Sequence, residues 1–190
     1  WRLPVARDSK IAMKSITIIG GGVAGLSLGV ALRRRGVPAE IHEAGAYPRH
    51  RVCGEFICGV SDRTLENMGL VEILSGCERI ARTRWVHRGG ATFGVDLPAP
   101  AIAVSRHRLD DAMAREFEKL GGTLRVRSRR EATGGAGEVV ATGRRLAHDR
   151  KKWIGLKVHQ VDADSGGVLE LHLGRRGYLG RSSVEGARVN

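Results

Sequence analysis

The sequence predicts an α/β fold in which a parallel sheet built from a βαβ unit is interleaved with part of an antiparallel sheet. The first observation is an apolar run, Ser15–Ile19, followed by a glycine-rich turn and a segment with helical periodicity. The second is a short strand that ends at an acidic residue, Glu43. The third is Val168–Leu173, where leucines alternate with polar residues as in a half-buried antiparallel strand.

The glycine-rich turn has the spacing G-x-G-x-x-G, with Gly20, Gly22 and Gly25 at its fixed positions. Between a strand and a helix, this spacing is typical of a loop that binds the pyrophosphate of a dinucleotide. The first glycine allows a tight turn, the second lets phosphate approach the backbone, and the third lets the helix pack on the strand. Val23 and Ala24 begin the helix, whose free N–H groups and dipole favour an anion. The alternative is a glycine-rich loop without a ligand.

The segments after the turn complete the βαβ pattern. Val23–Arg35 has a broad apolar face, and Gly36 and Pro38 are stop signals for a helix. Ala39–His42 follows as the second strand and ends at Glu43, about 18 residues after the last glycine of the turn. An acid about 20 residues beyond the turn binds ribose hydroxyls in dinucleotide-binding folds. The alternative for Glu43 is a solvated strand end.

The middle of the chain predicts a short helix, a hairpin and a second long helix. Ser61 and Gly69 are typical cap residues of the short helix. The expected hairpin strands are Thr83–Arg88 and Ala91–Val95 around Gly89-Gly90, and Pro98 and Pro100 are expected to break the pattern before Ile102–Val104. Apolar residues at helical spacing predict the long helix over Arg108–Leu120.

The remaining segments predict strands separated by loops. In chain order they are a strand Thr123–Arg127, a glycine-rich loop Glu131–Gly137, a strand Glu138–Ala141 that delivers Thr142-Gly143 to its end, and the strands Trp153–Val161, Val168–Leu173 and Tyr178–Val184.

Composition narrows the function classes. The 190 residues have a net charge of +12, but the arginines are scattered in doublets and triplets, and aromatic residues make up only 4%. We therefore expect no nucleic acid as partner, because single-strand binders need aromatic stacking platforms. Three cysteines without a C-x-x-C pair disfavour a metal site and a disulfide framework and favour a reducing, cytoplasmic compartment. No apolar run is long enough for a membrane span, which leaves peripheral membrane contact open.

Four segments together resemble a known family: Ile18–Gly25, Arg51–Glu55 with its Cys-Gly-Glu motif, Ser105–Asp110 with its Arg-x-x-Leu-Asp motif, and Ala141–Gly143. They resemble FAD-dependent oxidoreductases, in the group that holds geranylgeranyl reductases and aromatic-ring hydroxylases of the para-hydroxybenzoate hydroxylase type. The resemblance extends over nearly all of 13–190. The first motif is shared by many flavoproteins, whereas the Cys-Gly-Glu and Arg-x-x-Leu-Asp motifs narrow the group.

The resemblance implies roles for individual residues. The three turn glycines with Val23 and Ala24 would hold the FAD pyrophosphate, and Glu43 with Ala44 would bind the adenosine ribose. Arg51 with Cys53 and Gly54 would line the flavin side, Arg106 would contact the cofactor from the start of its helix, and Thr142 with Gly143 would lie near the adenine half. Many relatives carry an aspartate where Thr142 stands, which weakens that assignment. Outside the motifs, Arg51 and Arg106 would be ordinary surface arginines.

The resemblance also implies a domain division. Residues 1–12 would be a leader outside the fold, 13–80 and 101–150 a Rossmann-like FAD-binding domain, and 81–100 and 151–190 a partial antiparallel, substrate-side domain. The family's second flavin-binding segment contains a Gly-Asp pair, and no such pair occurs in these 190 residues. We therefore expect an N-terminal portion of a longer protein.

The function implied is the FAD-binding portion of a flavoprotein oxidoreductase, a reductase or a monooxygenase acting on a small hydrophobic, aromatic or isoprenoid substrate. The reductant would be NADH, NADPH or another donor, and the Cys-Gly-Glu motif slightly favours the reductase branch. No catalytic acid or base stands out, because the flavin carries the redox chemistry in such enzymes. The alternatives are a truncated chain with little or no cofactor binding, a nicotinamide-dependent dehydrogenase, and a basic nucleic-acid-associated protein. The oligomeric state is not predicted.

Overall fold

The computed structural model describes residues 13–143 and 154–190. Its helices are α1 (Val23–Arg34), α2 (Asp62–Met68) and α3 (Arg106–Lys119). Its strands are β1 (Ile16–Ile19), β2 (Ala39–His42), β3 (Phe56–Ile57), β4 (Glu78–His87), β5 (Thr92–Ala103), β6 (Thr123–Arg125), β7 (Glu138–Val140), β8 (Gln160–Val161), β9 (Val168–Leu173), β10 (Tyr178–Arg181), β11 (Ser183–Val184) and β12 (Arg188–Val189). The predicted leader, 1–12, lies outside the described residues, as do 144–153.

The first sheet is parallel and has the strand order β6-β2-β1-β7. Its central strand β1 buries Ile18 and Ile19, as expected for a β-branched run covered by helices. Helices α1 and α3 pack on this sheet, and their inward side chains Leu26, Met113 and Phe117 belong to the main hydrophobic core. The predicted βαβ unit is confirmed, with α1 ending one residue before the expected end.

Side-chain caps define the starts of the two other helices. Ser61 Oγ accepts a hydrogen bond from the Thr64 N–H at 3.2 Å, which begins α2 as predicted. Ser105 Oγ accepts from the Arg108 N–H at 3.1 Å, so α3 begins at Arg106, two residues before the predicted start. Strand β6 is shorter than predicted, and Arg127, beyond its end, has a left-handed backbone with a φ of 53°.

The second sheet has the strand order β10-β9-β4-β5-β3. The predicted hairpin is confirmed as β4 and β5, but the expectation that the prolines break the second strand was wrong. Strand β5 continues through Pro98 and Pro100, because its pairing with β4 shifts register between Ile80 and Arg82. A proline lacks the N–H that a regular ladder needs, so this irregular stretch is where it fits.

Strand β9 decides the character of the second sheet. It pairs antiparallel with β10 but parallel with β4, so the sheet is mixed rather than wholly antiparallel. The predicted fold class, α/β with a parallel sheet and a second sheet, is confirmed. Glu170 is the buried residue of β9. Its carboxylate can be buried because it accepts hydrogen bonds from Arg84 at 3.0 Å and from Arg181 at 2.6 Å. Leu173 is more than one-third exposed.

The C-terminal segments form a small third sheet with the order β11-β12-β8. The predicted strand Trp153–Val161 is reduced to β8 within the described residues, which exclude Trp153. The predicted strand Tyr178–Val184 is divided between two sheets as β10 and β11, with Ser182 between them.

Candidate functional site

A cleft of about 770 Å³ lies at the carboxyl ends of strands β1, β2 and β7. Ligands of open α/β sheets bind at this edge. Ten of the predicted site residues line the cleft: Gly20, Gly22, Val23, Ala24, Glu43, Ala44, Arg51, Arg106, Thr142 and Gly143. The fold therefore brings together residues that are up to 123 positions apart in the chain.

The three turn glycines have different structural requirements. Gly20 has a φ of 111°, which other residues rarely adopt, and Gly25 packs against the Gly20 carbonyl in the space a Cβ would need. Gly22 has neither requirement. Its φ is −83°, and the nearest atom to an added Cβ is Arg106 Nη2 at 3.9 Å. The folded chain has room for a side chain at Gly22, on the side that faces the cleft.

The N-terminus of α1 also faces the cleft. Its first hydrogen bond runs from the Leu26 N–H to the Gly22 carbonyl at 2.9 Å, so the N–H groups of Val23, Ala24 and Gly25 precede the helical ladder. Gly22 provides no side-chain cap, and the first turn of α1 contains no acid. The partial positive charge of this helix end is therefore not compensated by its own residues.

Glu43 is buried at the end of β2 and is fully hydrogen-bonded. Its Oε1 accepts from the Gly45 N–H at 2.7 Å and from Arg49 at 2.6 Å, and its Oε2 accepts from the Gly21 N–H at 2.9 Å and from Arg51 at 3.2 Å. These four donors occupy the acceptor positions of a carboxylate. A ribose hydroxyl would thus replace one of the two arginines as a partner of Glu43.

These contacts determine the charge of Glu43. Burial raises its pKa, but the hydrogen bond from Gly45, the charges of Arg49 and Arg51 and the hydrogen bond from Gly21 outweigh burial. The pKa of Glu43 is therefore lower in the folded chain than its ordinary value, and the carboxylate is ionised at neutral pH.

We expect Glu43→Gln to flatten the acid dependence of stability. The ionised form of Glu43 stabilises the fold at neutral pH, and this contribution is lost as the pH falls from about 5 through the lowered pKa. Urea unfolding at about pH 7 and about pH 3 measures the effect: the wild type loses more unfolding free energy over this range than Glu43→Gln. An equal loss in both would contradict the lowered pKa. Glu118→Gln, at an exposed position of α3, is the control.

Asp110 binds two arginines that line the cleft, Arg51 and Arg106. It is fully buried, and it accepts two hydrogen bonds from Arg106, at 2.8 and 2.7 Å. Arg51 Nε lies 3.2 Å from the same carboxylate. Burial alone would lower the pKa of Arg106, but the hydrogen bonds and charge of Asp110 outweigh burial, so the pKa is raised. Asp110 therefore positions both guanidinium groups beside the cleft.

Three predicted site residues are not part of the cleft lining. Gly25 lies in the first turn of α1, against the Gly20 carbonyl. Cys53 accepts the Glu55 N–H through its Sγ at 3.4 Å, and its carbonyl accepts from Asn190 at 3.2 Å. Gly54 lies between Cys53 and Glu55 and is exposed. Their predicted contacts with a cofactor remain predictions.

The cleft also contains basic residues that the sequence analysis missed. They are His42, Arg49, His50, Arg129 and Arg130, accompanied by Ser128. Ser128, Arg129 and Arg130 could have been predicted from their position after β6, because residues that follow the carboxyl ends of parallel strands gather at one edge of the sheet. His42 is tied to this segment, since its Nδ1 lies 2.9 Å from Ser128 Oγ.

Three buried side-chain nitrogens within 13–143 and 154–190 lack a hydrogen-bond partner, and all three belong to cleft residues. They are His42 Nε2, Arg49 Nε and Arg51 Nε. His42 Nε2 lies 3.3 Å from Glu40 and Arg51 Nε lies 3.2 Å from Asp110, in ion-pair contact but without hydrogen-bond geometry. Buried side-chain nitrogens without partners are rare, and here they all belong to the basic lining of the cleft.

Neither a metal-binding cluster nor a membrane-spanning helix is found within 13–143 and 154–190. No group of three or more histidine, cysteine, aspartate or glutamate side chains there is arranged to hold a metal ion. No helix there is long and apolar enough to cross a membrane.

Three solved structures with similar folds are described as a flavoprotein, an oxygenase and a flavin-dependent halogenase. A flavoprotein/dehydrogenase from Cytophaga hutchinsonii superposes with a TM-score of 0.70 at 15% identity, over 93% of this chain and 54% of its own. The tetrameric 2-methyl-3-hydroxypyridine-5-carboxylic acid oxygenase gives a TM-score of 0.67 at 19% identity, over 94% and 57%. The flavin-dependent halogenase CmlS gives a TM-score of 0.66 at 15% identity, over 94% of this chain and 41% of its own. The chain shares the fold of these flavoproteins over the part that it spans.

The similarity is one of fold. The chain spans about half the length of the first two structures. No protein-family profile matches the sequence, and no curated protein sequence matches it. These comparisons do not support the narrower prediction of a geranylgeranyl-reductase-like protein.

Proposed function

We propose that the cleft binds FAD and that the chain is the FAD-binding part of a flavoprotein oxidoreductase. The observation that carries this proposal is the α1 end of the cleft. An uncapped helix N-terminus and the open backbone at Gly22 face one volume, which Arg51 and Arg106 also line. Each of them is satisfied by an anion, and a dinucleotide pyrophosphate is the anion that a G-x-G-x-x-G turn accommodates.

The cleft residues suggest the orientation of the dinucleotide. Glu43, Arg49 and the segment Ser128–Arg130 would surround the adenosine half, because they follow the second and the outermost strand of the parallel sheet. Arg51 and Arg106, both held by Asp110, would face the flavin side. The bound isoalloxazine would supply the two-electron chemistry, and these residues would orient it.

The second sheet supports an apolar substrate. Trp85 and Phe93 are cross-strand partners whose rings stack with centroids 5.9 Å apart. On the same face, Val95 and Tyr178 are exposed, at 48% and 73%. An exposed apolar face of this extent is typical of a surface that contacts a ligand or another segment. We propose a small hydrophobic, aromatic or isoprenoid substrate, with a reduced nicotinamide as electron donor.

A titration of the full chain with FAD tests the cofactor assignment. We expect saturable quenching of flavin fluorescence, with competition by ADP but not by riboflavin, because the contacts above involve phosphate and adenosine. Arg106→Gln should weaken binding about tenfold or more, since a hydrogen bond to a charged group contributes about 1.5–3 kcal/mol. Arg176→Gln, at an exposed position outside the cleft, should bind as the wild type does.

Two outcomes would contradict the assignment. A folded chain that does not quench FAD fluorescence would support the alternative of a chain with little or no cofactor binding. Binding of NADH together with failure to bind FAD would support the nicotinamide-dependent dehydrogenase. Circular dichroism of the same samples distinguishes both from an unfolded protein.

A further inference from the structure

A second, smaller cavity of about 330 Å³ adjoins the cleft. It is lined by His50, Arg51, Val52, Lys157, Val158 and His159. Four of these residues are basic, two are valines, and none is acidic. The first three also line the cleft, whereas Lys157, Val158 and His159 line only this cavity. A ligand in the cavity would therefore lie directly beside a ligand in the cleft.

Glu55 holds the basic side chains of the cavity in place from behind. Its own side chain is fully buried and does not line the cavity. It contacts the Lys157 ammonium, lies 2.7 Å from His159 Nε2, and accepts the Arg106 N–H at 2.7 Å. Its φ of 55° is one that non-glycine residues seldom adopt, and such conformations cluster at functional sites.

Glu55 therefore fixes the side chains of Lys157 and His159 beside the cavity. Their side chains are only 8% and 11% exposed, although the segment that carries them forms no helix or strand. One carboxylate binds both of them, so its charge neutralises at most one of the cations that face the cavity. Arg51 is held separately, by Glu43 and Asp110.

His50 and His159, which line the cavity, lie close together, and His107, which does not line it, lies beside His50. The ring of His50 lies 4.8 Å from that of His107 and 5.2 Å from that of His159. Burial lowers the pKa of His50, and the charges of Lys157, His107 and His159 lower it further, against the opposing effect of Glu55. An added negative charge in the cavity would relieve this repulsion.

We propose that this cavity binds an oxyanion, the carboxylate or phosphate group of a small-molecule ligand. Ammonium, guanidinium and imidazole groups are the donors that recognise such oxyanions, and here they converge without a facing acid. The two exposed valines would contact the apolar part of the same ligand. That the ligand is the substrate of the flavoprotein rests on the function proposed above, whereas oxyanion binding does not.

Histidine C2–H signals of the full chain in NMR spectra test the proposal, with benzoate and inorganic phosphate as probes. The signals of His50 and His159 should shift saturably with at least one probe, and those of His87 and His172 should stay in place. Lys157→Gln should weaken binding of the anion at least tenfold, whereas Lys157→Arg should retain the binding. Lys119→Gln is the control, because Lys119 is 79% exposed and lies outside the cavity.

Addition of FAD distinguishes the source of the oxyanion. Benzoate shifts of His159 that persist with FAD present indicate a separate ligand, whereas a His159 shift produced by FAD alone indicates a phosphate of the cofactor, since His159 lines only this cavity; both support the site. An unmoved His159 signal with both probes and with FAD would overturn it. If the anions bind and FAD does not, the function proposed above fails and the oxyanion site stands.

Discussion

Gly22→Ala should weaken FAD binding about 5- to 150-fold while leaving the fold intact. The extended backbone at Gly22 accepts an alanine, and the added methyl group meets only Arg106, at 3.9 Å. In the complex, the same methyl group would occupy space that the pyrophosphate needs, and overpacking typically costs about 1–3 kcal/mol. Fluorescence titration with FAD and urea unfolding measure the two effects on the same sample.

Gly25→Ala is the matched variant with the opposite expectation. Its Cβ would overlap the backbone carbonyl of Gly20 and approach Ile18 within 3.2 Å, so the helix must shift away from the strand. We expect a loss of about 1–3 kcal/mol of unfolding free energy. If Gly22→Ala binds FAD as tightly as the wild type, no phosphate lies over this glycine and the proposed binding mode is wrong.

Asp110→Ala should destabilise the chain by about 3–5 kcal/mol, which is the usual cost of leaving buried charges without their partner. The substitution removes the bidentate partner of Arg106 and the nearest ion-pair contact of Arg51 Nε. Arg106 is only 15% exposed, so water replaces these hydrogen bonds poorly. Urea unfolding measures the loss, which is a large fraction of the stability of a typical domain.

Asp111→Ala provides the comparison on the same helix. Asp111 binds Arg115 at 2.9 Å, but the arginine is 77% exposed, and exposed pairs contribute about 1 kcal/mol or less. A loss for Asp110→Ala no larger than that for Asp111→Ala would show that the buried cluster contributes little to stability. FAD binding by the surviving folded fraction would then report whether the two arginines still face the cleft.

The parts of the fold that the sequence predicted correctly depend on neighbouring residues. The strand, the glycine turn and α1 follow each other within 15–34, and their periodicity and stop signals are local. Ser61 caps α2 through an N–H three residues away, so the start of that helix was also readable. The start of α3 and the end of β6 were each misplaced by two residues. The Ser105 side chain caps α3 as Ser61 caps α2, so that start was also readable, whereas composition does not reveal the left-handed backbone at Arg127.

The part of the candidate site that the sequence predicted likewise consists of residues in local motifs. Ten of its residues belong to motifs whose spacing reflects contact with backbone or helix ends. Arg49 was missed, because a scattered arginine gives no local signal of the cleft it will line. The burial of Glu170 was missed as well, since it depends on Arg84, 86 positions away, and on Arg181.

The sequence by itself determined the βαβ unit, the two caps of α2 and the glycine turn, since hydrophobic periodicity and backbone conformational preferences act over a few residues. Only the tertiary structure decided that β9 pairs in parallel with β4, that Asp110 joins Arg51 to Arg106, and that Glu55 meets His159 across 104 positions. Such pairings are selected by the burial and hydrogen bonding of the whole chain, in which the entropy lost on closing a long loop is repaid by contacts made elsewhere.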